Sequence, residues 1–306
     1  MKKLLSSILI LVTIVSCNQS KELYSYVNPF VGTGGHGHTF PGATMPFGMV
    51  QLSPDSRLEG WDGCGGYHYS DSIIYGFSHT HLSGTGVSDY GDILLAPTVG
   101  VIHYNNGADG EPGYSSKFSH ENESAHAGFY QVYLEDYNID VALTASKRAG
   151  FHQYTFPKSE QANIILDLEH RDEVLESEIQ ITGNNEVVGF RRSKAWATDQ
   201  YVYFVAQFSK DFKKATIAQN DIPTDLLLLN DKELKASFEF NTEEGEKILV
   251  KVAISAVSVE SARKNLEAEI PHWDFNKTLN DAEQAWNKEL SKIEVDSDKE
   301  TKHIFY

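Results

Sequence analysis

The residues able to do chemistry crowd into one stretch, from Asn28 to Asp92. Two H-x-H pairs stand there, His36/His38 and His79/His81, with Trp61, Asp62, Cys64, Asp89 and Asp92 close by. On a strand, residues two apart face the same way, so either pair could share a metal ion such as zinc. No third or fourth ligand stands at metal-site spacing. The expectation is therefore that these imidazoles hydrogen-bond backbone or substrate, and that the chain supplies no metal ligands. Cys64 lies between glycines with no identifiable base, so a buried structural thiol is expected rather than a nucleophile. Asp62, Asp89 and Asp92 could be the acid and base of a hydrolase. Beside glycines the ordinary role of such carboxylates is turn capping, and that is the reading for Asp92.

The glycines that surround these groups are dense: Val31-Gly32-Thr33-Gly34-Gly35-His36-Gly37-His38, Gly60-Trp61-Asp62-Gly63-Cys64-Gly65-Gly66 and His79-Thr80-His81-Leu82-Ser83-Gly84-Thr85-Gly86. Each glycine weakens regular structure, so such a stretch is shaped for close backbone approach or for a ligand. Gly32-x-Gly34 is not a dinucleotide loop, because the third glycine and a βαβ unit are missing. A phosphate-binding loop is excluded because the segment has no lysine. Aromatic faces beside polar groups suit a sugar, whose ring has an apolar side and a hydroxyl rim.

The elements that must hold these loops are strands. Period-two alternation with aromatic and β-branched residues marks 128–134, 139–145, 151–156, 201–208 and 248–257. A short buried strand is expected at 164–168. Turn signals at Asn106-Gly107, Asp109-Gly110, Gly183-Asn184 and Glu244-Gly245 separate such runs. Many short strands without helical periods predict a mainly β fold, a large antiparallel β-sandwich. After Val257 the period becomes helical. Val259, Ala262, Leu266 and Ile270 share one face, and Pro271 ends that helix. Phe275, Leu279, Ala282, Trp286, Leu290 and Ile293 line a longer helix starting near Asp274. Asp298 begins a third, whose His303-Ile304-Phe305-Tyr306 end is expected to find nothing to pack against. That end reads as the start of a truncated helical domain.

With 306 residues, 41% of them hydrophobic, the chain is long enough for a substantial core. Its formal charge of −17 argues against nucleic acid and anionic membrane surfaces as partners. Lys2 and Lys3 precede an apolar run, Leu4 to Val15, too short to span a bilayer. The run stops at Cys17, which reads as the lipidated first residue of a bacterial lipoprotein of the cell envelope, periplasmic or surface-exposed. The only membrane contact expected is that lipid anchor. With Cys17 so used, Cys64 has no disulfide partner.

Taken together, Asn28-Pro29-Phe30-Val31-Gly32-Thr33, Pro41-Gly42-Ala43 through Pro46-Phe47-Gly48-Met49, Gly60-Trp61-Asp62-Gly63-Cys64 and Phe77-Ser78-His79-Thr80-His81-Leu82-Ser83-Gly84-Thr85-Gly86 resemble glycoside hydrolase family 92 in order and spacing. The resemblance covers the chain from about Leu23 to Tyr306. It implies an exo-acting, inverting α-mannosidase, α-1,2 in preference, that trims mannans or N-glycans and needs calcium to help distort the mannose ring. It implies a sandwich (a supersandwich) at 20–257, a helical linker at 258–296 and, from 297, the first helix of an (α/α)6 barrel. The catalytic acid and base would lie in that barrel, past Tyr306, and calcium would be held mainly there. The sandwich would supply pocket loops for mannose-containing oligosaccharides. By position Trp61 would shape the leaving-sugar subsite, with Asp62, Cys64, His79, His81, Gly84 and Asp89 as substrate-side neighbours. An inverting pair of carboxylates stands roughly 6.5–9.5 Å apart to admit water, which a rigid helical barrel can enforce.

Two other readings stay open at this level. One is a stand-alone carbohydrate-binding lipoprotein with the same sandwich and loops. The other is a zinc hydrolase built on His79 and His81.

Overall fold

A computed structural model describes residues 22–306. The leader and Cys17 lie outside them. The described residues hold nineteen strands followed by three α-helices, so the antiparallel sandwich expected from the sequence is the fold. Every named strand pairing is antiparallel, including Ala149–Phe156 with Glu246–Ser255 and Ser159–Asp167 with Leu234–Thr242. One sheet of eight strands runs in the order Ala43–Thr44, Gln51–Asp55, Gly76–Ser78, Leu94–Val99, Ser159–Asp167, Leu234–Thr242, Lys214–Gln219, Ile222–Pro223. The second, of nine, runs Leu228–Asp231, Glu173–Ile181, Glu186–Lys194, Gln200–Phe208, Glu246–Ser255, Ala149–Phe156, Ile139–Ala145, Phe129–Leu134, Glu123–His126.

The alternation seen in the sequence decides which face each strand buries. Along Ala149–Phe156, Tyr154 and Phe156 point into the core between the sheets, while Ala149 and Phe151 point outward. The inner core joins Leu52, Phe77, Ile164 and Phe238 of the first sheet to Val141, Phe204, Phe208 and Val252 of the second. Each such side chain contributes roughly 1.5–3 kcal/mol of burial before entropy is set against it.

The outward face of the nine-stranded sheet needs a cover, and two helices supply it. Ala149, Phe151, Val205 and Ala253 pack on Ala262, Leu266, Ile270 and Phe275. Helix α1 is Val259–Glu269, and its N-cap Ser258 accepts from Ser261 N at 3.1 Å. Helix α2 is Phe275–Leu290, capped by Asp274 accepting from Lys277 N at 3.0 Å. Its Asn287 side chain accepts from Tyr24 N, and its Trp286 indole donates to Thr44 O at 2.7 Å. Helix α3, Lys299–Phe305, is capped by Asp298. Its end does meet a partner, contrary to expectation. His303 Nδ1 donates to Tyr26 O at 3.0 Å, and the Tyr26 ring lies 5.1 Å from His303 and 6.2 Å from Tyr306. Ile304, 81% exposed, remains in solvent.

Candidate functional site

The loops carrying the candidate residues converge on one buried carboxylate, Asp55, at the end of Gln51–Asp55. Its Oδ2 accepts from Ser78 N at 3.1 Å and from Ser78 Oγ at 2.6 Å. Its Oδ1 faces His81 Nε2 and His170 Nε2, each at 3.2 Å. Burial alone would push this carboxyl up, but the two imidazoles hold it well below the usual carboxylate range. His81 is further tied by its Nδ1 donating to Gln51 O at 2.8 Å.

Above this knot lies the Trp61 loop, a short 3-10 turn at Trp61–Gly63. Arg171 holds it. One Nη2 reaches Gly63 O at 2.9 Å, Cys64 O at 3.2 Å and Ser88 Oγ at 3.0 Å, so a single guanidinium clasps two loops. Arg171 can do this because it and Asp172 turn the chain at positive φ, 52° and 47°. Beneath that turn Arg191, fully buried, donates to Leu168 O, His170 O and Arg171 O, and to Asp92 Oδ1 at 2.6 Å. Arg191 fixes the turn, the turn aims Arg171, and Arg171 sets the Trp61 loop.

The Trp61 ring itself is 61% exposed. It lies edge-on to His38 at 5.0 Å. Its other neighbour is Gly86, where a Cβ would stand 2.1 Å from the indole, so only glycine admits the ring there. Asp62 Oδ1 accepts from His36 Nδ1 at 2.6 Å, a bond that lowers the carboxyl's pKa. The result is an exposed apolar face rimmed by an imidazole and a carboxylate, able to stack on a sugar ring and bond its hydroxyls.

The expected site residues separate into two sets. Trp61, Asp62 and Gly84 share the exposed rim with His36, and Gly84 N donates to His38 O at 2.8 Å. The others, Cys64, His79, His81 and Asp89, are interior. His79 lies in the sandwich core with both ring nitrogens engaged. Its Nδ1 donates to Ile93 O at 2.6 Å, and its Nε2 meets His152 Nε2 at 2.9 Å, whose Nδ1 accepts from Tyr154 Oη. Burial pushes His79 down to about 4, so this relay is neutral. His81 is sealed over Asp55. Cys64 is buried, its Sγ 2.9 Å from Thr85 O, and burial pushes its thiol up. Asp89 ties loops, accepting from Ala197 N at 2.9 Å. Asp92 proves to be half of a buried ion pair rather than a turn cap, because Arg191 reaches it from the second sheet.

Asp55, His170, Arg171 and Arg191 were not among the expected residues. Glu169-His170-Arg171-Asp172 did carry a signal, four ionisable groups directly after an apolar strand. Arg191 carried none. Among the described residues one group of three metal-capable side chains comes together, His36, His38 and Asp62. Two imidazole nitrogens and one carboxylate do not suit calcium, which takes six to eight oxygens.

Known proteins share this fold. A family GH92 α-mannosidase from Bacteroides thetaiotaomicron is 37% identical and superposes with a TM-score of 0.88 over 92% of this chain and 40% of its own. A GH92 inverting mannosidase of the same organism is 25% identical, with a TM-score of 0.81, over 92% of this chain and 38% of its own. A curated relative, an uncharacterized secreted glycosidase of Arthroderma benhamiae, is 26% identical over 94% of this chain and 40% of its length. The chain thus spans about two fifths of the proteins it matches. Residues 26–255 match the Glycosyl hydrolase family 92 N-terminal domain, and 261–306 match the Glycosyl hydrolase family 92 catalytic domain. With two successive domains of one family matched in order along nearly all of its described length, the chain belongs to glycosyl hydrolase family 92.

Proposed function

We propose that this chain is the sandwich part of an inverting exo-α-mannosidase, α-1,2 in preference, acting on mannans or N-glycans. In this reading the sandwich builds one wall of the substrate pocket, and the catalytic acid and base come from outside the described residues. The observation that carries it is the exposed Trp61, held over Gly86 by Arg171 and flanked by the His36–Asp62 pair. Such an indole binds the apolar face of a pyranose, and its polar rim orients the hydroxyls. A GH92 α-mannosidase similar to this chain has been solved with mannoimidazole, which supports mannose as the sugar class.

We propose calcium dependence as well, with the ion held mainly by the helical part of the whole enzyme; the His36, His38 and Asp62 group does not suit that ion. We place the enzyme in the bacterial cell envelope, anchored through Cys17. No described helix is long and apolar enough to cross a membrane.

The test is mannose release from α-mannosides by the enzyme at the full length of its relatives. Trp61→Ala should lower kcat/KM about tenfold or more, the ~1.5 kcal/mol that an aromatic face can contribute. Unchanged kinetics would remove Trp61 from the pocket. The 306-residue chain alone should release no mannose; release would place the carboxylates within it.

A further inference from the structure

The first H-x-H pair lacked a third ligand in the sequence, and the fold supplies one from 26 residues away. Asp62 Oδ1 stands 2.6 Å from His36 Nδ1 and 3.5 Å from His38 Nε2, and the three atoms lie within 4.8 Å of one another. His38 is 7% exposed, yet its Nε2 has no hydrogen-bond partner. A buried polar nitrogen left unpaired costs about 1–3 kcal/mol, so such groups call for an explanation. Its ring is also held in place: the backbone sits at φ 57°, His38 O accepts from Gly84 N, and Trp61 packs against the ring.

We propose that His36, His38 and Asp62 form a binding site for a divalent transition-metal ion, with zinc the best match. Imidazole nitrogen with carboxylate oxygen is a zinc donor set, and zinc bonds both at about 2.0–2.2 Å. Tetrahedral ligands at that radius stand ~3.3 Å apart. His38 already lies near that distance from Asp62. His36, whose side chain is 80% exposed, is free to swing out to it. The metal would satisfy the orphaned His38 nitrogen, and its fourth position would take water at the exposed rim. The site would sit against Trp61, but the inference does not depend on what sugar that rim receives.

The experiment is calorimetric titration of the full chain, made without a histidine tag and stripped with chelator, using Zn2+. One equivalent should bind at micromolar affinity or tighter. His38→Ala and Asp62→Asn should each weaken binding at least about tenfold, the minimum expected when even an outer partner of a metal ligand is removed. Cys64→Ser should leave it unchanged, and Ca2+ should not compete. His36→Ala, at an exposed position, gives the same reading if His38→Ala fails to fold by circular dichroism. Absence of saturable zinc binding, binding that survives His36→Ala and Asp62→Asn, or loss of binding in Cys64→Ser would each overturn the proposal. Mannosidase activity enters none of these readouts.

Discussion

Replacing Arg191 with Met should both destabilise the sandwich and loosen the Trp61 loop. Arg191 and Asp92 are each fully buried, so removing the guanidinium strands a carboxylate with only the Thr80 hydroxyl to serve its other oxygen. It also takes donors from the carbonyls of Leu168, His170 and Arg171. Breaking a buried pair from one side costs about 3–5 kcal/mol. For a domain of this size each kcal/mol lowers Tm by roughly 2–4 °C, so a fall of about 6–20 °C is expected. The stranded charge is the main cause, and that can be isolated. The double variant Arg191→Met with Asp92→Leu removes both charges and should be less destabilised than the two singles summed, by about 2 kcal/mol. Thermal and urea unfolding measure the stability. Limited proteolysis around residues 60–66 reports the loop, because Arg171 loses the backbone that aims it. A single-variant loss under about 1 kcal/mol, or strict additivity, would refute the chain of support from Arg191 to Trp61.

Gly86→Ala should expel the Trp61 ring, shifting its fluorescence towards the free indole, whereas Gly84→Ala meets open space and adds only the left-handed strain of about 1 kcal/mol. Cys64 should resist alkylation at pH 8 in the folded chain and react once urea opens it, read by mass spectrometry of the Cys64 peptide. Glu186 is partly buried, and burial raises its pKa. Its bonds to Arg263, Gln207 and Thr182 outweigh that and bring it to about 2. A carboxyl depressed on folding stabilises above its unfolded pKa of about 4.3 and loses that contribution as pH falls towards 2. With solvent screening this is about 1–2 kcal/mol. Glu186→Gln should flatten that part of the stability–pH curve in acid urea titrations.

The strands whose residues alternate cleanly were legible. The expected 139–145 run is the strand Ile139–Ala145, and 151–156 lies within Ala149–Phe156. The helices were legible from their apolar spacing, with Pro271 closing the first and Asp274 and Asp298 marking the starts of the other two. Glu173–Ile181 and Glu186–Lys194 were not, because Glu-Val-Leu-Glu-Ser-Glu-Ile and Phe-Arg-Arg-Ser-Lys put charges on both faces and blur the period. The same blurring hid Arg191, an inward arginine that pattern reading assigns to solvent. In the glycine-rich segment the residue types showed where the polar and aromatic loops gather. Which imidazole faces out could not be read, because positive φ at His38, Tyr90 and Ile93 breaks the alternation rule that tells inside from outside.

Helix α2 ties the last part of the chain to the first. Tyr24 is bonded to Asn287 across 263 residues, and Thr44 to Trp286 across 242. Contacts so distant in sequence form late and slow the folding of the whole. On a ribosome making about 5–20 residues per second, the opening segment waits roughly 12–50 s for α2. Until α2 docks, the opening segment and the part of the outward sheet face that Phe275 covers stand exposed, so the incomplete chain is open to aggregation there.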